Sequence, residues 1–200
     1  GVTSIEDWSF NRCVKLSSVS MPIGLRSIGN FAFSECSGIS SVDIPTSVTS
    51  ISNNAFDGCR LISIVIPEGV TSMREHAFSG CCSLKSVTLP SSLTSIKDGA
   101  FAGCSSLKSL DLPKNVTSIG RYAFKGCSNL RSIIIPECVA SIDDWAFSGC
   151  SELESIRIPV SVRSLGLWVF EDCIGLKTVF LDSDIDYDFG EGVEILRSMF

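Results

Sequence analysis

A phenylalanine recurs at positions 10, 33, 56, 78, 101, 124, 147 and 170, and a cysteine follows each one three residues later. Every step is 23 residues except one of 22, where Cys59-Arg60-Leu61 lacks a residue present in Cys104-Ser105-Ser106-Leu107. All seven prolines (22, 45, 67, 90, 113, 136, 159) share one position of the same period. Three registers that agree in this way require one structural unit repeated along the chain. A 23-residue unit cannot bury its own apolar side, so copies must stack and shield one another.

The unit from Leu84 to Cys104 shows how each copy folds. Leu84-Lys85-Ser86-Val87-Thr88-Leu89 ends in apolar and polar alternation, the pattern of a strand with one buried face. Pro90 ends it, because proline has no N–H for a ladder. Leu93-Thr94-Ser95-Ile96 reads as a second short extended or turn segment. Lys97 to Ala102 is long enough for one helical or 3-10 turn, with Ala100 and Phe101 inward. Glycine closes that turn in five copies (58, 80, 103, 126, 149), as suits a residue that adopts the left-handed conformation. The expected architecture is an α/β-type repeat solenoid, eight units long over residues 1–181, with the first unit partial. Stacked strands lie ~4.8 Å apart, which makes a slab of roughly 40 Å. Residues 182–200 depart from the pattern, since Asp182 replaces the proline and no Ala-Phe follows. They are expected to be a C-terminal cap or the start of another segment. Gly1 falls in the middle of a unit, which reads as a fragment or an excised domain.

The combination Leu-x-x-Val-x-Leu-Pro, then Val-Thr-Ser-Ile, then Ala-Phe-x-Gly-Cys resembles the BspA-like class of leucine-rich repeats, over essentially residues 2–181. The resemblance implies a right-handed solenoid with its parallel sheet on the concave side. It also implies surface proteins of bacteria and parasitic protists that attach to host matrix, host cells or other microbes.

Ten cysteines in 200 residues invite a disulfide framework. Eight of them, however, occupy one repeat position and would form a column with side chains ~5 Å apart and parallel, whereas a disulfide needs converging Cβ atoms ~3.8 Å apart. Buried free cysteine, acting as a small hydrophobe, is the leading reading. Metal binding is the weaker one, because no Cys-x-x-Cys pair is present. Cys82 and Cys138 fall outside the column and are candidates for reactive or paired thiols.

Little else suggests catalysis. The single histidine, His76, has Trp8, Phe31, Asn54, Gly99, Tyr122, Trp145 and Trp168 as its repeat equivalents, so the position is not built around an imidazole. The serines beside the strands (18, 41, 63, 86, 109, 132, 155) recur in every unit, whereas a nucleophile occurs once with its base. They are expected to hydrogen-bond along the stack. No phosphate-binding loop and no cofactor signature is present. Asp182, Asp184, Asp186 and Asp188 alternate like the start of a calcium loop, but the later glycine and glutamate are missing, which favours a solvated acidic loop. Asn115-Val116-Thr117 is a glycosylation sequon. A net charge of −6 argues against nucleic acid as partner. No apolar run approaches the ~20 residues that insert in a bilayer.

Binding is therefore sought where the repeat varies. One column, Ser20, Asp43, Val65, Thr88, Asp111, Ile134, Arg157 and Phe180, is chemically mixed and is expected to point outward from the strands on the concave sheet. Beside it runs Ser17, Ser40, Ile62, Lys85, Lys108, Arg131, Glu154 and Lys177, charged from Lys85 onward. A second candidate is the aromatic edge of Tyr122, Trp145 and Trp168, either a platform for sugar rings or a protein surface, or simply a stack that shields the turns. The expected function is a non-catalytic binding or adhesion module of a larger cell-surface or extracellular protein, with a protein or glycan ligand on the concave face. The alternative is a cytoplasmic interaction scaffold, or the recognition arm of a signalling protein. A hydrolase would need a catalytic domain outside these residues.

Overall fold

The computed structural model describes residues 1–182 and the backbone of Glu194–Arg197. The chain winds as a parallel β-solenoid of about eight coils, whose short strands fall into two stacks. The first stack contains Ser63–Val65 paired with Ser86–Thr88 and Ser109–Asp111 paired with Ser132–Ile134. It continues with Ser155–Ile158, Thr178–Leu181 and Glu194–Arg197, paired in that order. The second stack contains Ser4–Ile5, Ser27–Ile28 and Ser50–Ile51, then Ser95–Ile96, Ser118–Ile119, Ser141–Ile142 and Ser164–Leu165. Every pairing is parallel, and all but that of Thr178–Leu181 with Glu194–Arg197 join equivalent residues of adjacent units, for example Ser95 with Ser118. Between the two runs of the second stack only Met73 bridges to Ile51, where methionine stands in place of the usual β-branched residue.

The third side of each coil differs from expectation. The described residues contain no helix, and Lys97 to Cys104 is a series of consecutive turns. Alternate amides go to different partners. Ala100, Ala102 and Cys104 N–H donate back three residues to Lys97, Gly99 and Phe101 O. Gly99, Phe101 and Gly103 N–H donate instead to Arg121, Ala123 and Lys125 O of the following coil. A helix needs every amide for its own axis, so bonding between coils excludes it here. The turns closed at Ala100 and Cys104 carry positive φ at their third residue, +59° at Gly99 and +71° at Gly103, as type II turns demand. The closing glycine is thus where the sequence places it. Arg12, Glu35 and Asp172 adopt the same conformation in the coils that lack it, with φ of 57–59°.

These turns hold the core in register. Phe33, Phe56, Phe78, Phe101, Phe124 and Phe147 are fully buried. Successive rings from Phe10 to Phe170 stack nearly parallel, 2–9° between planes and 5.1–5.9 Å between centroids. Parallel planes with that separation are offset stacks, the favourable geometry for aromatic pairs. The first of them, Phe10, is 37% exposed, since no coil lies outside it among the described residues.

The cysteine column is buried from Cys36 onward, and all ten cysteines are free thiols. Each buried thiol also does what a plain hydrophobe could not. Cys127 Sγ donates to Phe101 O at 3.1 Å, and the same carbonyl accepts Cys104 N–H at 3.1 Å. The second lone pair of a buried carbonyl is thereby satisfied, and the pattern repeats from Cys36 on Phe10 O to Cys173 on Phe147 O. Burial pushes the Cys59 and Cys127 thiols up to about 12, and those of Cys81 and Cys104 rise for the same reason.

Two outcomes follow. Phe124→Ala, which opens a cavity between two rings, should cost ~3–5 kcal/mol in denaturant unfolding. The Cys59, Cys81, Cys104 and Cys127 thiols hold their protons more tightly folded than unfolded, so their stabilisation is complete below pH ~9 and is lost as pH rises toward 12, by up to ~1.4 kcal/mol per thiol per pH unit. Unfolding followed from pH 8 to 11 should show that decline, and Cys127→Ala should make it shallower.

Candidate functional site

Alternation in the strands of the first stack decides which side chains meet solvent. Ile64, Leu110, Ile133, Ile156 and Val179 turn inward, and the residues on either side of each turn outward. Asp43, Val65, Thr88, Asp111, Ile134, Arg157 and Phe180 are all exposed, in one continuous column. The pairings Val65 to Thr88, Asp111 to Ile134 and Arg157 to Phe180 fix their order. Lys85, Lys108, Arg131 and Lys177 are exposed beside them, with Ile62 and Glu154 in the same stripe.

The serines at 63, 86, 109, 132 and 155 belong to this outward face as well, two residues from the mixed column. They do not form the expected hydrogen-bonded ladder. None of these hydroxyls bonds a neighbour among the described residues, because the strand places them in solvent, and their role is to make a flat, hydrated strip. Apolar side chains interrupt that strip: Val65 is 64% exposed, Ile134 77% and Phe180 41%. A shallow depression lies between the second and third coils, over Asp43 and Val65. Arg157 Nε sits 2.5 Å from Asp182 Oδ2, which ties this cation to a carboxylate of the next coil, and the bond raises its pKa further. Arg131 lies 3.6 Å from Glu152. Lys85, Lys108 and Lys177 make no ion pair among the described residues.

The second candidate lies on the turn edge. Tyr122 and Trp145 stack at 5.3 Å, and Trp145 and Trp168 at 4.8 Å. Trp8 and Phe31 repeat the arrangement at 4.0 Å. The guanidinium of Arg121 lies over Tyr122 and Trp145 at 5.6 and 5.9 Å, and Lys125 over Tyr122 at 5.3 Å. Ring faces are therefore spent on one another and on cations. What reaches solvent is edges, together with the end rings Trp8 and Trp168 at 56% and 52% exposure. A flat sugar platform needs free faces, so the arrangement fits a stack that shields the turns better than a lectin-like surface.

Sequence reading missed the conformation of this column. Every residue in it has positive φ, including Trp8 (63°), His76 (55°), Tyr122 (58°) and Trp168 (53°). The lone histidine is explained here too, since a Cβ on Gly99 would come within 2.1 Å of His76 Nδ1. The imidazole fills the space that glycine leaves. Also missed was a ladder one residue earlier, where side-chain oxygens accept amides from the next coil. Asp7 Oδ1 takes Asn30 N–H at 2.6 Å, Asn30 Oδ1 takes Asn53 N–H at 3.1 Å, Asp98 Oδ1 takes Arg121 N–H at 3.0 Å and Asp144 Oδ1 takes Leu167 N–H at 2.9 Å. The Asn30 side chain and amide hold the Asp7 carboxyl below its ordinary range. Spacing of Asp and Asn by 23 residues was the available signal.

Among the described residues no cluster of His, Cys, Asp or Glu is arranged to hold a metal ion, and no helix is long and apolar enough to cross a membrane. Asp184, Asp186 and Asp188 of the acidic tail lie outside the described residues. Asn115 of the sequon is exposed, with its side-chain amide donating to Ser91 O at 3.1 Å. Cys13, Cys82 and Cys138 are exposed thiols.

The sequence matches the family described as BspA type leucine rich repeat region, in six copies over residues 3–130 and 71–189. Among solved structures it is similar to a leucine-rich repeat protein of Bacteroides ovatus, with TM-score 0.70 and 30% identity over 98% of this chain. It is also similar to a leucine rich cell surface protein of Faecalibacterium prausnitzii, with TM-score 0.65 and 26% identity over 98% of this chain. The chain spans 64% and 63% of the length of those two. The pneumococcal vaccine antigen PcpA, 23% identical with TM-score 0.64 over 99% of this chain and 61% of its own, shares the fold. No curated protein matches the sequence.

If the aromatic column serves the solenoid itself, Trp145→Ala should lower stability by ~1–3 kcal/mol, since two stacked pairs at ~0.5–1.5 kcal/mol each are lost. Thermal unfolding with near-ultraviolet circular dichroism, which reports coupled indoles, would measure both the loss and its origin.

Proposed function

Since the chain belongs to the BspA-type leucine-rich-repeat family, we propose that it is a non-catalytic binding module of a cell-surface protein, with its ligand seated on the outward face of the first strand stack. The observation that carries this reading is apolar exposure in the middle of a flat, hydrated sheet. Ile134 at 77% and Val65 at 64% stand in water in one outward column, and a ligand seated on that column would cover them. Rigid, regularly spaced strands also lower the cost of binding, because little side-chain or loop ordering remains to be done. A likeness to a protein described as a leucine rich cell surface protein supports the location.

A second reading, an intracellular interaction scaffold, is favoured by one observation. All ten cysteines are free and three of them are exposed, a state that reducing compartments maintain.

The test is a panel of purified extracellular-matrix proteins, mucins and microbial surface polysaccharides, immobilised and probed with the protein. Wild type should bind at least one member, and Ile134→Asp with Arg157→Ala should lose at least about tenfold in affinity, the worth of one or two interface contacts. Trp145→Ala with Trp168→Ala should bind unchanged while remaining folded. Loss only in the tryptophan variant would move the site to the turn edge, and binding indifferent to both would exclude both surfaces.

A further inference from the structure

We propose that the part of this sheet face from Lys85 to Phe180 takes an acidic helical segment of a partner protein, its carboxylates along the lysine stripe and its apolar side chains against Ile134 and Phe180. The inference rests on the sheet-face reading above and specifies the ligand.

Charge is the first argument. The protein carries a net charge of −6, yet the two outward columns from Lys85 to Phe180 carry Lys85, Lys108, Arg131, Lys177 and Arg157 against Glu154 and Asp111 only. Glu152 and Asp182 pair with Arg131 and Arg157, so the unpaired positive charge sits on Lys85, Lys108 and Lys177, opposite in sign to the molecule as a whole, and it steers an anionic partner to this face. Lys85, Lys108 and Lys177 have no carboxylate of their own among the described residues, so their charge is available.

The neighbouring column excludes a partner that is anionic and nothing else. Ile134 is 77% exposed and Phe180 41%, and they follow Arg131 and Lys177 of the stripe by three residues on the same coils. A sulfated or uronic polysaccharide would satisfy the cations and leave these side chains against hydroxyls. A protein segment with an acidic row beside an apolar row matches both columns.

Spacing selects a helix. Equivalent residues on adjacent coils lie ~4.8 Å apart. A helix laid along the stack presents same-face residues about every 5.4 Å, one turn. An extended segment presents them every ~6.7 Å, which drifts out of register within two coils. The helical match keeps three successive carboxylates opposite Lys85, Lys108 and Arg131, before Glu154 interrupts the stripe.

The experiment uses a synthetic helical peptide with one Glu row and an adjacent Leu row, a twin with Lys in place of every Glu, and heparin as a sulfated polysaccharide. Binding is measured by fluorescence anisotropy. The Glu peptide should bind at least about tenfold tighter than its twin, and its affinity should fall as salt rises from about 0.01 to about 0.15 M and the screening length shrinks from ~30 to ~8 Å. Lys85→Glu with Lys108→Glu and Lys177→Glu should lose about tenfold or more, and Ile134→Asp should weaken binding at either salt, with thermal unfolding confirming that both variants fold. Equal binding of the two peptides, no binding of the Glu peptide, or heparin binding insensitive to Ile134→Asp would overturn the proposal. If the charge reversal leaves capture of the ligand from the matrix panel intact while Ile134→Asp with Phe180→Asp abolishes it, the acidic helix is wrong and the sheet-face site stands.

Discussion

The hydrogen bonds that run from coil to coil are the constraint on which the rest of this molecule depends. Along the turn, every second amide is given to the following coil, as Phe101 N–H is to Ala123 O at 2.9 Å, and only the remainder close local turns. A coil taken alone would leave half of its turn amides unpaired in an apolar surrounding, at ~1–3 kcal/mol for each such group. Stacking is therefore a requirement of the backbone before any side chain is considered. Side chains then complete the same accounting. Cysteine thiols fill the second lone pair of the phenylalanine carbonyls, and Asp or Asn oxygens take amides one residue before the aromatic column. The repeat holds cysteine constant because a thiol is small enough for the corner, apolar enough for burial, and still a donor.

The same bonding forces two left-handed residues into each coil. Both sit at the third position of a turn that must close in four residues while alternate amides point along the stack. One site is usually glycine and costs nothing. The other carries Trp, Phe, His or Tyr in six coils, where positive φ is strained by about 1–3 kcal/mol. Stacking of those rings, at about 0.5–1.5 kcal/mol per pair, offsets a good part of the strain. Where the chain has glycine at this site, at 99, strain and stacking vanish together, and His76 lies across the gap. The aromatic edge is thus explained by backbone geometry, and that explanation weakens its claim to be a binding platform.

The architecture was legible in the sequence because its strongest signals are periodic. Phe, Cys and Pro spacing gave coil length, the missing residue after Cys59, strand direction and the identity of the core. The outward column was legible for the same reason, since alternation about Ile64, Ile133 and Ile156 leaves one answer for Val65, Ile134 and Arg157. What could not be read was anything decided by competition for backbone bonds. Lys97 to Ala102 has the length and composition of a helical turn, and only the presence of Arg121 and Ala123 carbonyls alongside converts it to consecutive turns. Nor could φ at Trp145 be inferred, because asparagine and glycine in that column hint at the left-handed region while its bulky members argue against it. The serine column misled for a different reason: its regularity comes from the need for small, hydrated residues on an open sheet, which has the same sequence signature as a bonded ladder.

The eighth coil departs from its neighbours at several repeat positions. Leu167 receives the Asp144 oxygen on its amide but, like Arg121, has no side-chain oxygen to offer onward. Asp172 takes the place of glycine at the second left-handed site, and Asp182 takes the place of proline. The next strand pairs Thr178 with Glu194, a step of 16 residues instead of 23, too few for another Ala-Phe-Gly-Cys turn. Asp182 is not idle at this boundary, because it anchors Arg157 on the outward face at 2.5 Å. A cation tied to a carboxylate, while Lys85, Lys108 and Lys177 have no ion pair among the described residues, is a physical asymmetry. Along one sheet it separates a residue that orders the face from residues whose charge is left for something outside the molecule.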